Sequence, residues 1–239
     1  MSIDTAIVLA AGAGSRLQAA APHKPLCTVG GISLLGHALR GLHKAGLSKA
    51  VVVTGHGAEA VEAAITAVDW PLEVEWVRNP EWQLPNGVSV RAAAPLVRGQ
   101  DVLMLMSDHL VDPRLYARVR QAGAGAGLRL GVDRHLDSEL VDEEDVTCVE
   151  TSGTRIAAIG KGLVRFDAYD VGVFALSPAF FDALDRLESP SITEGVRALI
   201  PDGQAEVVDC TGLDWADVDD AEALAKAERL YAQASWRSQ

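Results

Sequence analysis

The sequence predicts a single α/β domain: a three-layer α/β/α sandwich around a mixed, mostly parallel central sheet. Three observations point there. Through the first half, short apolar β-branched runs alternate with amphipathic segments, the pattern of strands wrapped by helices on both faces. From about Gly127 the alternation gives way to strands separated by loops, which adds antiparallel strands to the same sheet. The 239 residues are 49% hydrophobic and 23% charged, ordinary for one sizeable core, and no internal repeat or linker divides them.

The elements follow in order. Ala6 to Ala10 reads as a buried strand, then come a helix near Leu34 to Ala45, a strand at Ala50 to Thr54, a helix near Ala58 to Val68 and a strand at Leu72 to Val77. Asn79 to Ser89 is a loop rich in turn formers, leading to a helix through Leu96. Val102 to Met106 is the central apolar strand. Leu128 to Asp133, Val146 to Glu150, Arg155 to Ile159 and Tyr169 to Leu176 read as strands. Helices return near Pro178 to Leu187 and Ile192 to Ile200, followed by a strand at Ala205 to Val208 and a terminal helix from about Ala221. This order is Rossmann-like, with ligands expected beyond the carboxyl ends of the strands.

The formal net charge of −12 argues against nucleic acid or an anionic membrane as partner, because both select a positive face. Cys27, Cys148 and Cys210 are widely spaced and odd in number, which suits reduced thiols. No basic leader opens the chain and no run approaches the ~18 apolar residues of a membrane span, so the expectation is a soluble, cytoplasmic protein.

The first strand delivers Leu9, Ala10, Ala11, Gly12, Gly14 and Ser15 into a turn, followed by Arg16 and the sequence Lys24-Pro25-Leu26. Glycines there let backbone N–H groups approach an anion; Arg16 offers a planar fork for phosphate oxygens and Lys24 a mobile point charge. No Gly-Lys-Ser/Thr follows, and Leu17 stands where a dinucleotide fingerprint has its third glycine. The layout is that of a polyphosphate site. Asp108 stands where the central apolar strand stops, and Mg²⁺ on a triphosphate typically takes one or two protein carboxylates. The acidic run Asp217, Asp219, Asp220 before the terminal helix reads either as helix capping or as a second set of metal ligands.

Residues Ile7 to about Leu230 resemble the nucleotidyltransferases that join a nucleoside triphosphate to a phosphorylated sugar or alcohol and release pyrophosphate. The resemblance rests on the Gly12/Gly14 loop, Lys24-Pro25, Met-Ser-Asp-His ending at His109, and Trp215-Ala216-Asp217-Val218-Asp219. It implies the nucleotidyltransferase fold, with a nucleotide-binding half of about 1–112 and an acceptor-binding half of about 113–239. By the same resemblance Lys24, Arg16 and Asp108 serve catalysis. Asp108 binds Mg²⁺, for which Mn²⁺ can substitute, together with Asp217 or Asp219, Asp219 being preferred.

Lys161, flanked by Gly160 and Gly162, matches the lysine that holds the acceptor's phosphate in relatives, and Asp170, Gly172, Glu150 and His109 fall on the acceptor side. Asn86, Gly87 and Ser89 resemble the loop facing a pyrimidine in the branch that uses CTP and inositol 1-phosphate, although Ser89 also suits a helix N-cap. The implied reaction is transfer of CMP from CTP to a phosphorylated alcohol. The alternatives are phosphocholine, for which Trp76, Trp82, Tyr169 and Trp215 are candidate cage walls, an aminoalkylphosphonate, or a nucleotide-binding homologue without turnover. Some relatives carry a fused membrane domain, so the resemblance also implies a separate partner enzyme or a different pathway. A homodimer stays open.

Overall fold

Strand β1 (Thr5–Ala10) is buried along its whole length, and its side chains divide by alternation between two cores. The computed structural model describes residues 3–17, 21–97 and 99–238. A hairpin of β2 (Thr28–Val29) and β3 (Ile32–Ser33) leads into α1 (Leu34–Lys44), capped by the Ser33 side chain on the Gly36 N–H. β4 (Lys49–Thr54), α2 (Ala58–Thr66), β5 (Glu73–Arg78), α3 (Gly87–Val97) and β6 (Val102–Met106) complete the first half. Beyond it lie β7 (His109–Val111), α4 (Pro113–Ala122), β8 (Leu128–Asp133), β9 (Cys148–Ser152), β10 (Arg155–Gly160) and β11 (Ala168–Leu176). The chain continues through α5 (Pro178–Asp185), α6 (Ile192–Leu199), β12 (Ala205–Asp209), β13 (Trp215–Asp217) and α7 (Ala221–Gln233).

One nine-stranded sheet runs through both halves in the order β5-β4-β1-β6-β11-β8-β12-β10-β9. The pairings set β11 and β10 against the common direction of the other strands. Ala6, Val8 and Ala10 face α1, α2 and α4 through Leu39, Val61 and Leu115. Ile7 and Leu9 face α3, α5 and α6 through Val90, Phe180 and Val196. A third, smaller cluster joins Val29, Leu34, Leu110, Val218 and Tyr231, and so fastens α7 and β13 to the start of the chain.

The expected architecture is present, with one helix and two small two-stranded sheets, β2–β3 and β7–β13, added. Helix α4 was not expected, although Asp112-Pro113 is an N-terminus signal: Asp112 caps the Arg114 N–H and Leu115, Tyr116 and Val119 are buried. β7 and β13 pair antiparallel as a separate two-stranded sheet, which pattern could not show because each has only three residues. β9 begins at Cys148, two residues later than the apolar pattern suggests, and α3 begins at Gly87, inside the expected loop.

The order β5-β4-β1-β6 places the reversal of strand order between β1 and β6, where a crevice forms at the carboxyl ends of these two strands. The amino end of β11, antiparallel to β6, opens on the same crevice. Leu39 lies at the centre of the α1 packing and is fully buried. Leu39→Ala should cost about 2–5 kcal/mol of stability, read as a lowered urea midpoint; a loss well under 1 kcal/mol would contradict this packing.

Candidate functional site

Two turns of 3-10 helix, Ser15–Leu17 and Lys24–Leu26, follow β1 and set Arg16 and Lys24 over the strand ends. Gly14 is required twice there. Its φ is +56°, and a Cβ on it would come within 2.4 Å of the Lys24 Cβ, so the lysine stem lies flat against bare backbone. Opposite, the β7–β13 register pairs Asp217 with His109, and the Val218 N–H donates to the Asp108 carbonyl (3.1 Å). Strand alternation then sends Val218 into the third core and leaves Asp217 and Asp219 facing Asp108. Asp220 caps α7 through the Ala223 N–H (2.8 Å), so capping and the acidic cluster involve different residues.

Lys24 is buried among these carboxylates. Its Nζ donates to Asp108 Oδ2 (2.6 Å) and to Asp219 Oδ1, and lies 3.8 Å from Asp217 Oδ1. Burial disfavours the ammonium, but Asp108, Asp217 and Asp219 together hold its pKa well above the ordinary lysine value. Arg16 donates to the other oxygen of Asp219 and to Asp145 Oδ2 (2.6 Å), and Lys161 holds Asp145 Oδ1. Hydrogen bonds from Lys161 and then Arg16 keep Asp145 at about 2, so it is a carboxylate at neutral pH. Burial acts against a charged His109, yet Asp217 and then Asp108 raise it to about 9. Lys24, Arg16, Lys161 and His109 thus stand against Asp108, Asp217, Asp219 and Asp145.

Two oxygens of this cluster, Asp108 Oδ1 and Asp217 Oδ1, are buried without a hydrogen-bond partner, the cations nearest them lying 3.9 and 3.8 Å away. One donor atom each from Asp108, His109 and Asp217 lies within 4.8 Å of the others. A hard divalent cation suits orphaned carboxylate oxygens, so the donor set fits such an ion. Asp219 has both oxygens engaged by Lys24 and Arg16, whereas Asp108 and Asp217 each have one oxygen without a hydrogen-bond partner.

Two cavities meet at this cluster. A smaller one of about 300 Å³ is lined by Leu9, Ala10, Ala11, Gly12, Gly14, Ser15, Arg16, Lys24, Ser89, Asn86, Asp108 and Asp219. A larger one of about 760 Å³ is lined by Arg16, Asn86, Asp108, His109, Asp145, Lys161, Asp170, Gly172, Trp215, Asp217 and Asp219, among others. Burial pushes Asp170 up to about 6, while the Gly172 N–H, donating to its Oδ1 (2.7 Å), and His109 pull it down.

Some expected site residues have other partners. Glu150 lines neither cavity and faces Arg165 (3.7 Å). Gly87 also lines neither; its missing Cβ makes room for the Pro190 carbonyl, 2.5 Å from where that atom would be. Asn86 accepts the Ile192 N–H through Oδ1 (2.9 Å), and the buried Ser89 hydroxyl accepts from Asn79 Nδ2 (2.9 Å). The aromatic cage does not assemble: Trp76 is exposed on the edge strand, Trp82 packs on His56, Tyr169 is buried and bonded to the Leu136 carbonyl, and only Trp215 lines the large cavity. Asp145 bridges Arg16 and Lys161.

A phosphate-type loop at a strand-order reversal, facing carboxylates that can hold a cation, defines a nucleotide-binding α/β protein of the transferase type. The chain belongs to the family of the MobA-like NTP transferase domain, whose model matches residues 6–207. It is 34% identical to a protein of Rubrobacter xylanophilus named bifunctional IPC transferase and DIPP synthase, over 94% of this chain and 51% of that one. A protein of the same name from Thermococcus kodakarensis is 31% identical over 95% of this chain and 50% of that one. The chain thus spans about half the length of these relatives. Its fold matches the inositol-1-phosphate CTP transferase from T. maritima with a TM-score of 0.83 at 24% identity, covering 95% of this chain and 97% of that one. Among the described residues no helix is long and apolar enough to cross a membrane.

If Lys24 is the cation that keeps these carboxylates together, Lys24→Met should lower stability by about 3 kcal/mol. Mg²⁺ should then raise the melting temperature of the variant more than that of the parent, because the ion takes the place of the lost ammonium. Equal shifts in thermal scans with and without Mg²⁺ would count against this reading.

Proposed function

We propose that this chain transfers CMP from CTP to a phosphorylated alcohol, inositol 1-phosphate, forming a CDP-alcohol and pyrophosphate with Mg²⁺. The observation that carries the reading is the junction of the two cavities at Arg16, Asp108 and Asp219, with a separate cation on each side: Lys24 in the smaller and Lys161 in the larger. Two phosphorylated substrates can therefore approach one point from different directions, as in-line displacement at phosphorus requires. In support of CTP and inositol 1-phosphate, the structural neighbour from T. maritima is an inositol-1-phosphate CTP transferase, and the relatives from Rubrobacter xylanophilus and Thermococcus kodakarensis are named IPC transferases.

In this reading the 1–112 half holds the triphosphate. Gly12 and Gly14 present backbone N–H groups, and Arg16 and Lys24 leave their carboxylate partners for phosphate oxygens. Lys24, fixed by its stem against Gly14, stabilises charge that develops around the α-phosphorus. Asn86 and Ser89 lie on the base side of the smaller cavity, where Asn86 keeps its amide nitrogen available because Oδ1 is the atom spent on Ile192. Asp108 and Asp217 would hold the divalent cation, which would supply positive charge against the triphosphate.

The 113–239 half holds the acceptor. Lys161 exchanges Asp145 for the acceptor phosphate, and Asp170 faces the hydroxyls of the alcohol. An oxygen of that phosphate forms the new bond to the α-phosphorus as the bond to pyrophosphate breaks. The attacking oxygen is already ionised at neutral pH, so no general base is required.

The test is pyrophosphate release from CTP, UTP or ATP paired with inositol 1-phosphate, phosphocholine or aminoethylphosphonate. CTP with inositol 1-phosphate should give the highest kcat/KM, with CTP ahead of ATP by about tenfold or more. Lys161→Ala should raise the acceptor KM about 10- to 100-fold and leave the Kd for CTP nearly unchanged. A purine preference, or turnover only with an amine-bearing acceptor, would overturn the substrate assignment.

A further inference from the structure

We propose that His109 is a third, nitrogen ligand of the divalent cation, and that it biases the site towards Mn²⁺ over Mg²⁺. The inference rests on the metal reading above and concerns a residue expected from sequence to face the acceptor. His109 Nε2 lies 3.9 Å from Asp108 Oδ1 and 3.7 Å from Asp217 Oδ2. Both distances are too long for direct hydrogen bonds, and one of the two oxygens, Asp108 Oδ1, is buried without a partner. The three donors therefore surround a gap that none of them closes.

The fold builds a seat for this ring. Nδ1 is 3.1 Å from the Val171 carbonyl, which can only accept, so Nδ1 carries a proton in either charge state; Nε2 is the atom presented to the carboxylates, and its proton leaves to solvent when the ion binds there. A ligating histidine characteristically donates its other ring N–H to a carbonyl in this way. Gly172 has φ +74°, and a Cβ there would lie 2.5 Å from the ring, so only glycine leaves room for it. The register of β11 against β8 shifts between Asp170 and Phe174, around this residue. Trp215 stacks on the other side, with ring centroids 6.3 Å apart and planes at 28°. A bulge, a positive-φ glycine, a backbone acceptor and a stacked indole converge on fixing one imidazole beside two carboxylates.

Two carboxylates alone suit Mg²⁺, which prefers oxygen and keeps its waters, whereas an imidazole ligand raises affinity for Mn²⁺ more than for Mg²⁺. The competing reading is that the ring, as an imidazolium, only positions Asp217 and leaves the ion to oxygen donors.

Pulsed electron paramagnetic resonance of Mn²⁺ bound with CTP to protein labelled with ¹⁵N-histidine separates the two. The expected result is a ¹⁵N coupling to Mn²⁺ that disappears in His109→Gln. In the same variant the Mn²⁺ Kd should rise about tenfold or more while the Mg²⁺ Kd changes much less. Bound Mn²⁺ with no ¹⁵N coupling in the parent protein overturns the proposal while leaving the metal site intact. Absence of any bound Mn²⁺ removes the metal reading and this inference with it. Because the decisive spectrum is that of the parent protein, the outcome does not depend on the variant folding.

Discussion

The site depends on one buried ammonium. Lys24 lies within ion-pair distance of Asp108, in the turn between β6 and β7, and of Asp217 and Asp219, at and just beyond the end of β13, and without a cation these carboxylates could not share so small a volume. Burying the charges is costly, and the cost is offset only because each carboxylate finds a cation: Lys24, Arg16 or the His109 ring. The balance is local, in a chain whose net charge is −12, so the few cations are concentrated where a polyphosphate needs them.

The pairing of cations with carboxylates also constrains how ligands enter. Arg16, Lys24 and Lys161 are the phosphate-binding cations of the proposed reaction, and each is held by a carboxylate. A triphosphate arriving alone would strip these cations and leave buried carboxylates facing one another. Arriving with a divalent ion, it supplies both the anion for the cations and the cation for the carboxylates, so the exchange conserves local charge. Asp145, in the lining of the larger cavity, ties Arg16, which lines both cavities, to Lys161. Its two partners serve different substrates in the proposed reaction.

Much of this was legible in the sequence because its determinants are local. Gly12, Gly14, Arg16 and Lys24 lie within one turn region, and Asp108 follows an apolar strand whose end must meet the crevice. What escaped depends on pairings between distant segments. The β7–β13 register sets Asp217 opposite His109, and no periodicity in two three-residue strands reports that. The role of Gly172 is visible only once the ring that fills its place is known. Asn86 and Gly87 are partly explained by packing against residues 190–192, a contact that spacing alone cannot separate from base recognition. The aromatic residues offered as a cage had the right chemistry but lie on unrelated elements, one of them on the far edge of the sheet.

The account's central claim is that triphosphate and divalent cation enter together, because the carboxylates need a replacement for Lys24 and Arg16. Calorimetric titration of CTP into the protein, with Mg²⁺ and then with excess chelator, tests it most directly. The account predicts binding at least about tenfold tighter with Mg²⁺, a difference of about 1.4 kcal/mol or more. Equal affinity in chelator would contradict it, since the triphosphate would then displace the buried cations without any ion to take their place.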